Sequence, residues 1–105
     1  MKEIDERYIA AFDEFGFGIF RTKAGANLYH NTSTGTFMVN FNGEDLVDML
    51  VSYAETFDPN TYVSLTVKSH SSTQDISAML KNAQEIQTLL LRLAIKLVKI
   101  SKEVE

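Results

Sequence analysis

Residues 72 to 105 constrain the fold more than any other stretch. They contain neither Gly nor Pro, and Ile76, Leu80, Ala83, Ile86, Leu90, Leu93, Leu97, Ile100 and Val104 step by three or four residues. That spacing predicts one long amphipathic helix with a sustained apolar seam. Ser72 with Asp75, or Ser71 with Gln74, has the spacing of a capping box or a near variant, and Asp75 suits the positive end of the helix dipole. Between Leu89 and Ile100 the only polar residues are Arg92, Lys96 and Lys99, which form one narrow stripe. The remainder is apolar around most of the circumference, and such a helix is normally buried on nearly all sides.

Length adds a second constraint. Some 30 residues at 1.5 Å each reach roughly 45 Å, against a radius of gyration near 13 Å for a compact domain of about 100 residues. The helix is expected to overhang its own domain. Either the chain covers it entirely, or it pairs with a second copy; the overhang favours a homodimer or larger assembly through Leu90, Leu93, Leu97, Ile100 and Val104. A helix lying on a membrane surface with a basic polar face is a third arrangement. A transmembrane span is not expected, because the apolar run is about 12 residues long and broken by charge.

The platform for this helix reads as follows. Ile4, Tyr8, Ala11, Phe12 and Phe15 share a helical face over residues 2 to 14, and Gly16 and Gly18 end it. Residues 16 to 23 alternate as a strand. Residues 28 to 30 and 36 to 41 form a hairpin around 31 to 35, with Phe37, Val39 and Phe41 facing a core. Asn42 caps a second helix whose buried face is Leu46, Met49, Leu50, Tyr53 and Phe57. Asp58-Pro59-Asn60 stops that helix. Thr61 to Ser69 then alternates cleanly, Val63, Leu65 and Val67 against Tyr62, Ser64, Thr66 and Lys68, and reads as a strand. The order α-β-β-β-α-β-α implies a single α+β domain, with a small antiparallel sheet of about four strands packed against helices.

Charge narrows the function classes. The net charge of −4 argues against direct nucleic-acid binding, which needs clustered Lys and Arg. Between Lys23 and Lys68 every charged residue is acidic: Glu44, Asp45, Asp48, Glu55 and Asp58. Glu44, Asp45, Asp48 and Glu55 on the second helix make a candidate docking surface for a basic protein, such as a nucleic-acid-binding host protein. The bland alternative is a solvated face that maintains solubility. There is no Cys, which excludes disulfides, thiolate metal sites and a Cys nucleophile. The first residues are charged and lack a signal-peptide core, so the expected compartment is the cytoplasm.

No catalytic motif emerges. His30 and His70 have no second ligand at metal spacing and read as exposed loop residues, so neither a metal nor another cofactor is expected. Gly16-Phe17-Gly18 lacks the rest of a phosphate loop and reads as a helix terminator. A small anionic ligand, such as a signalling nucleotide held between subunits, would find cations in Arg92, Lys96 and Lys99, or in Arg21 and Lys23 beside Tyr29.

Glu55-Thr56-Phe57-Asp58-Pro59-Asn60, the Val-x-Leu-x-Val run, Asp75-Ile76, Asn82-Ala83-Gln84-Glu85-Ile86, Leu90 and Leu93-Ala94 together resemble small accessory proteins of phages and mobile elements in Gram-positive bacteria. The resemblance covers residues 44 to 97. It implies a short accessory protein, in a class that includes inhibitors of host defence such as anti-CRISPR proteins, acting by binding rather than catalysis. The expectation is therefore a non-enzymatic protein that binds and inhibits or modulates another protein; the alternative is an oligomer that sequesters an anionic ligand.

Overall fold

A computed structural model describes residues 5–23, 25–32, 35–42, 46–69 and 76–104. Helix α1, Glu6–Glu14, starts at Asp5, whose carboxylate accepts the Arg7 N–H at 2.8 Å. The Arg7 guanidinium returns to the same carboxylate at 3.1 Å through both Nε and a terminal nitrogen. Those hydrogen bonds hold Asp5 below the ordinary carboxylate range. The helix ends as its glycine predicts. Gly16 takes a φ of 79°, its N–H reaches the Asp13 carbonyl at 3.0 Å, and the Phe17 N–H reaches the Phe12 carbonyl at 2.8 Å. This is a Schellman ending, with Phe12 and Phe17 both buried beside it.

Three strands follow as an antiparallel meander: β1 (Gly18–Arg21), β2 (Gly25–Thr32) and β3 (Gly35–Asn42), in spatial order β1-β2-β3. Ile19 pairs with Leu28 and Leu28 with Val39, so Ile19, Ala26, Leu28, Phe37, Val39 and Phe41 share the inner face. On the outer face the Tyr29 ring covers Gly18; a Cβ there would run into the ring. The β2–β3 turn is tighter than the spacing of residues 31 to 35 suggests, because Thr32 pairs directly with Gly35.

Helices α2 (Leu46–Thr56), α3 (Pro59–Ser69) and α4 (Ile76–Val104) complete the order α-β-β-β-α-α-α. The class is α+β as expected, with three described strands instead of about four. The difference lies in Thr61 to Ser69, which is helix α3 and not a strand. Asp58 decides it: its carboxylate accepts the Asn60 N–H at 3.0 Å and the Thr61 hydroxyl at 2.9 Å, and its carbonyl accepts the Tyr62 N–H at 3.0 Å. Pro59 then occupies the first helical position, where its missing N–H costs nothing. Burial follows a helical period. Pro59 and Val63 are buried and Tyr62 half-buried, while Leu65 is 59% exposed. Contact with α4 and the cap outweigh the β propensity of Val63 and Leu65.

Helix α4 is the axis of the molecule. Its 29 residues reach about 43 Å, and the whole fold measures 48 × 27 × 21 Å. The domain is drawn out along the helix instead of leaving it overhanging. Helices α1, α2 and α3 all pack against it. Ala83, Ile86, Leu90, Leu93, Leu97 and Ile100 are buried in that packing, each large side chain contributing about 1.5–3 kcal/mol. Inside the sheet an aromatic cluster joins the layers: Phe37 meets Phe57 edge-on at 5.9 Å, and Phe41 meets Tyr53 edge-on at 5.8 Å.

Candidate partner-binding surface

The acidic face begins with the geometry of α2. Leu46, Leu50 and Ala54 are buried, which turns Asp48 and Glu55 outward, both exposed. They lie seven residues apart, two helical turns or roughly 10.5 Å. Glu44 and Asp45 lie outside the described residues. Asp58 does not belong to this surface, because its carboxylate caps α3.

Beside this face runs an open trough of about 590 Å³ between β3 and α2. Val39, Phe41, Met49 and Tyr53 give it apolar walls; Asn40, Asp48, Ser52 and Thr56 line the rest. The spacing of Met49 and Tyr53 places them on the buried face of the helix, yet both are only half-buried. The Tyr53 phenol is pushed up to about 12, by burial first and then by nearby Tyr62. Nothing local in the sequence signals this trough, because it depends on β3 being the last described strand of the sheet.

The seam expected to hold a second copy is occupied. Leu90, Leu93 and Leu97 have no exposed area and Ile100 is 5% exposed, covered by this chain's own elements. These side chains are core and not a free oligomer interface; the side chain of Val104 lies outside the described residues. Neither is the helix buried on nearly all sides. Leu91, Ile95 and Val98 are 41%, 60% and 38% exposed. Arg92, Lys96 and Lys99 are exposed next to them, so the outward arc of α4 is half apolar and half basic.

The other cations are on the sheet. Arg21 is exposed at the end of β1 and Lys23 in the β1–β2 turn. Tyr29 meets Phe20 at 5.9 Å on the outer sheet face, where Phe20 is 45% exposed. His30 is not an exposed loop residue. It is half-buried in β2, its Nδ1–H donates to the Gly16 carbonyl at 2.8 Å, and its ring packs on Phe17 at 5.2 Å. It ties the end of α1 to the sheet. A polar cleft of about 260 Å³ lies where His30 and Asn31 approach Asn82 and Glu85 of α4. His70 lies outside the described residues.

Among the described residues no group of three or more His, Asp or Glu could hold a metal ion, and no helix is long and apolar enough to cross a membrane. Comparison with family models, with curated proteins and with solved structures finds no match to this chain.

Proposed function

We propose that this chain is a non-enzymatic accessory protein that binds another protein and inhibits or modulates it, with the α2–β3 side as the docking surface. One observation carries the reading: a trough with apolar walls lies open beside an outward acidic helix face. Apolar walls supply area to bury, and Asp48 and Glu55 steer and orient a partner of positive charge. The favoured partner is a basic protein whose own work is to hold nucleic acid, and occupying its cationic cleft would inhibit it. The resemblance to phage accessory proteins points the same way, toward an inhibitor of host defence. Self-association belongs to the same proposal, moved from the seam of α4 to its outer stripe of Leu91, Ile95 and Val98.

The test is affinity capture from the cells that carry the chain, with wild type beside Asp48→Lys/Glu55→Lys, at low and high salt. The expected result is a basic protein retained by wild type, released by salt and not retained by the variant, whose melting temperature matches wild type. Retention indifferent to charge reversal overturns the reading. A second reading has the exposed Phe20–Tyr29 pair behind it: a stacking platform for an anionic nucleotide, with Arg21 and Lys23 near its phosphate. It requires nucleotides to raise the melting temperature by mass action, and Tyr29→Ala to abolish that rise.

A further inference from the structure

We propose that β3 accepts an added strand: an extended segment of a partner, alternating apolar and basic residues, pairs along the open edge of β3 and lies in the trough against α2. This deepens the protein-binding reading above and rests on it.

The backbone comes first. β3 has eight residues and pairs with β2 on one side; among the described residues no strand pairs on its other side. Thr22 and Gly25 exchange both backbone bonds, so Gly25, Asn27 and Tyr29 bond to β1, and Ala26, Leu28 and His30, the partners of Phe41, Val39 and Phe37, bond to β3. Hydrogen-bonded and non-bonded pairs then alternate along an antiparallel ladder. Phe37, Val39 and Phe41 therefore bond to β2. Thr36, Met38 and Asn40 turn their N–H and C=O groups to the open edge.

The two edges of this sheet are treated differently. Folded proteins blunt an edge by making it short, or by placing Lys, Pro or another charge on it. β1 is four residues long and ends at Arg21, with Lys23 just beyond. β3 is twice as long, and its sequence, Gly-Thr-Phe-Met-Val-Asn-Phe-Asn, holds no charge and no Pro. Among the described residues, β3 is the edge long and uncharged enough for another strand to pair.

The trough supplies the rest. An added strand alternates its side chains. One set would enter the space walled by Val39, Phe41, Met49 and Tyr53. The other would extend the outer sheet face beside Met38, which is 53% exposed. Asp48 at the rim and Glu55 two turns along select positive charge on the incoming segment. The same charges argue against a second copy of this chain, since pairing β3 with β3 would bring two acidic α2 faces together. The mode is β-strand addition, with main-chain bonds giving affinity and side-chain alternation giving specificity.

The probe is a fluorescent octapeptide of alternating lysine and valine, capped at both ends, followed by anisotropy. Its controls are the alternating glutamate–valine peptide and two lysine–valine peptides N-methylated on every second residue, one for each set. The lysine–valine peptide should bind and the glutamate–valine peptide should not. One of the methylated peptides should bind at least about tenfold more weakly, at unchanged charge. Met38→Pro removes an edge-facing N–H without touching the β2 ladder, a position where Pro is tolerated, and should weaken binding at least as much. If that variant melts early, the methylated peptides still decide the matter on wild type. Binding that survives both methylations but is lost in Asp48→Lys/Glu55→Lys overturns strand addition and leaves the acidic surface standing. Failure of wild type to bind the lysine–valine peptide overturns strand addition, and the capture experiment then judges the acidic surface separately. If wild type is a dimer that Met38→Pro makes monomeric, with no competition from peptide, the occupant is a second copy and the proposal falls.

Discussion

Helix α4 and strand β3 are both rich in apolar residues, and the chain treats them in opposite ways. α4 is packed by α1, α2 and α3, and its seam from Ala83 to Ile100 is closed. β3 buries Phe37 and Phe41 on one face, while its edge stays open to a trough. In a chain of 105 residues surface outweighs interior, and among the described residues no strand pairs on that edge. The contrast separates two roles for apolar side chains. Those on the inner side of α4 hold the molecule together, and Val39, Met49 and Tyr53 beside β3 offer area that something else can bury.

Charging the closed side should unfold the molecule. Leu90→Asp/Leu97→Asp places two carboxylates where neither leucine has exposed area. Losses above about 4–5 kcal/mol are expected of such changes, against a total stability of about 5–15 kcal/mol. The variant should lose its helical circular dichroism and its cooperative melt. A folded monomer instead would return the seam to its role as an interface between copies. Leu93→Ala should cost about 2–5 kcal/mol and stay folded.

A smaller effect belongs to the open side. Unfolded, the Tyr53 phenol ionises near 10; folded, it does so near 12. Between those values the unfolded chain binds fewer protons. Burial penalises only the ionised phenol, so the cost is absent below pH 10 and stability falls as pH rises from there toward 12. Solvent at this half-buried position screens the effect to roughly 1–2 kcal/mol. Denaturant midpoints should fall across that window in wild type and fall less in Tyr53→Phe, with no difference between the two at neutral pH.

Asp58→Ala tests the element that departs from its sequence pattern. Loss of the cap should cost about 1 kcal/mol, read as a lower melting temperature; a strand at these positions would not respond. Why α3 hides in the sequence is instructive. Val63-x-Leu65-x-Val67 has the period of a strand, and Asp58-Pro59 reads as a stop when it is also a start. α1 and α4 were legible because their periodicity and their burial agree. The β2–β3 hairpin is legible because the alternation of Phe37, Val39 and Phe41 matches the buried side of the sheet. The acidic face was half legible: Asp48 and Glu55 share a side of α2 at a spacing sequence reveals. The trough was not, because Met49 and Tyr53 have core spacing and only the distant edge of β3 exposes them.

The outer stripe of α4 gives the smallest change in stability and the finest division between the two sides. Leu91, Ile95 and Val98 sit at i, i+4 and i+7, and Arg92, Lys96 and Lys99 repeat that spacing one residue on. Leu91 and Ile95 are 41% and 60% exposed, so Leu91→Lys/Ile95→Lys should shift stability by no more than about 0.5 kcal/mol. Light scattering on a sizing column should find wild type heavier than one chain and the variant at the mass of one chain, with equal melting temperatures. Equal masses at the value of one chain would confine the unspent apolar surface to the β3 side, and the search for a partner would narrow to that trough. A variant that stays oligomeric would place the contact elsewhere, and Met38→Pro would then show whether the open edge of β3 holds it.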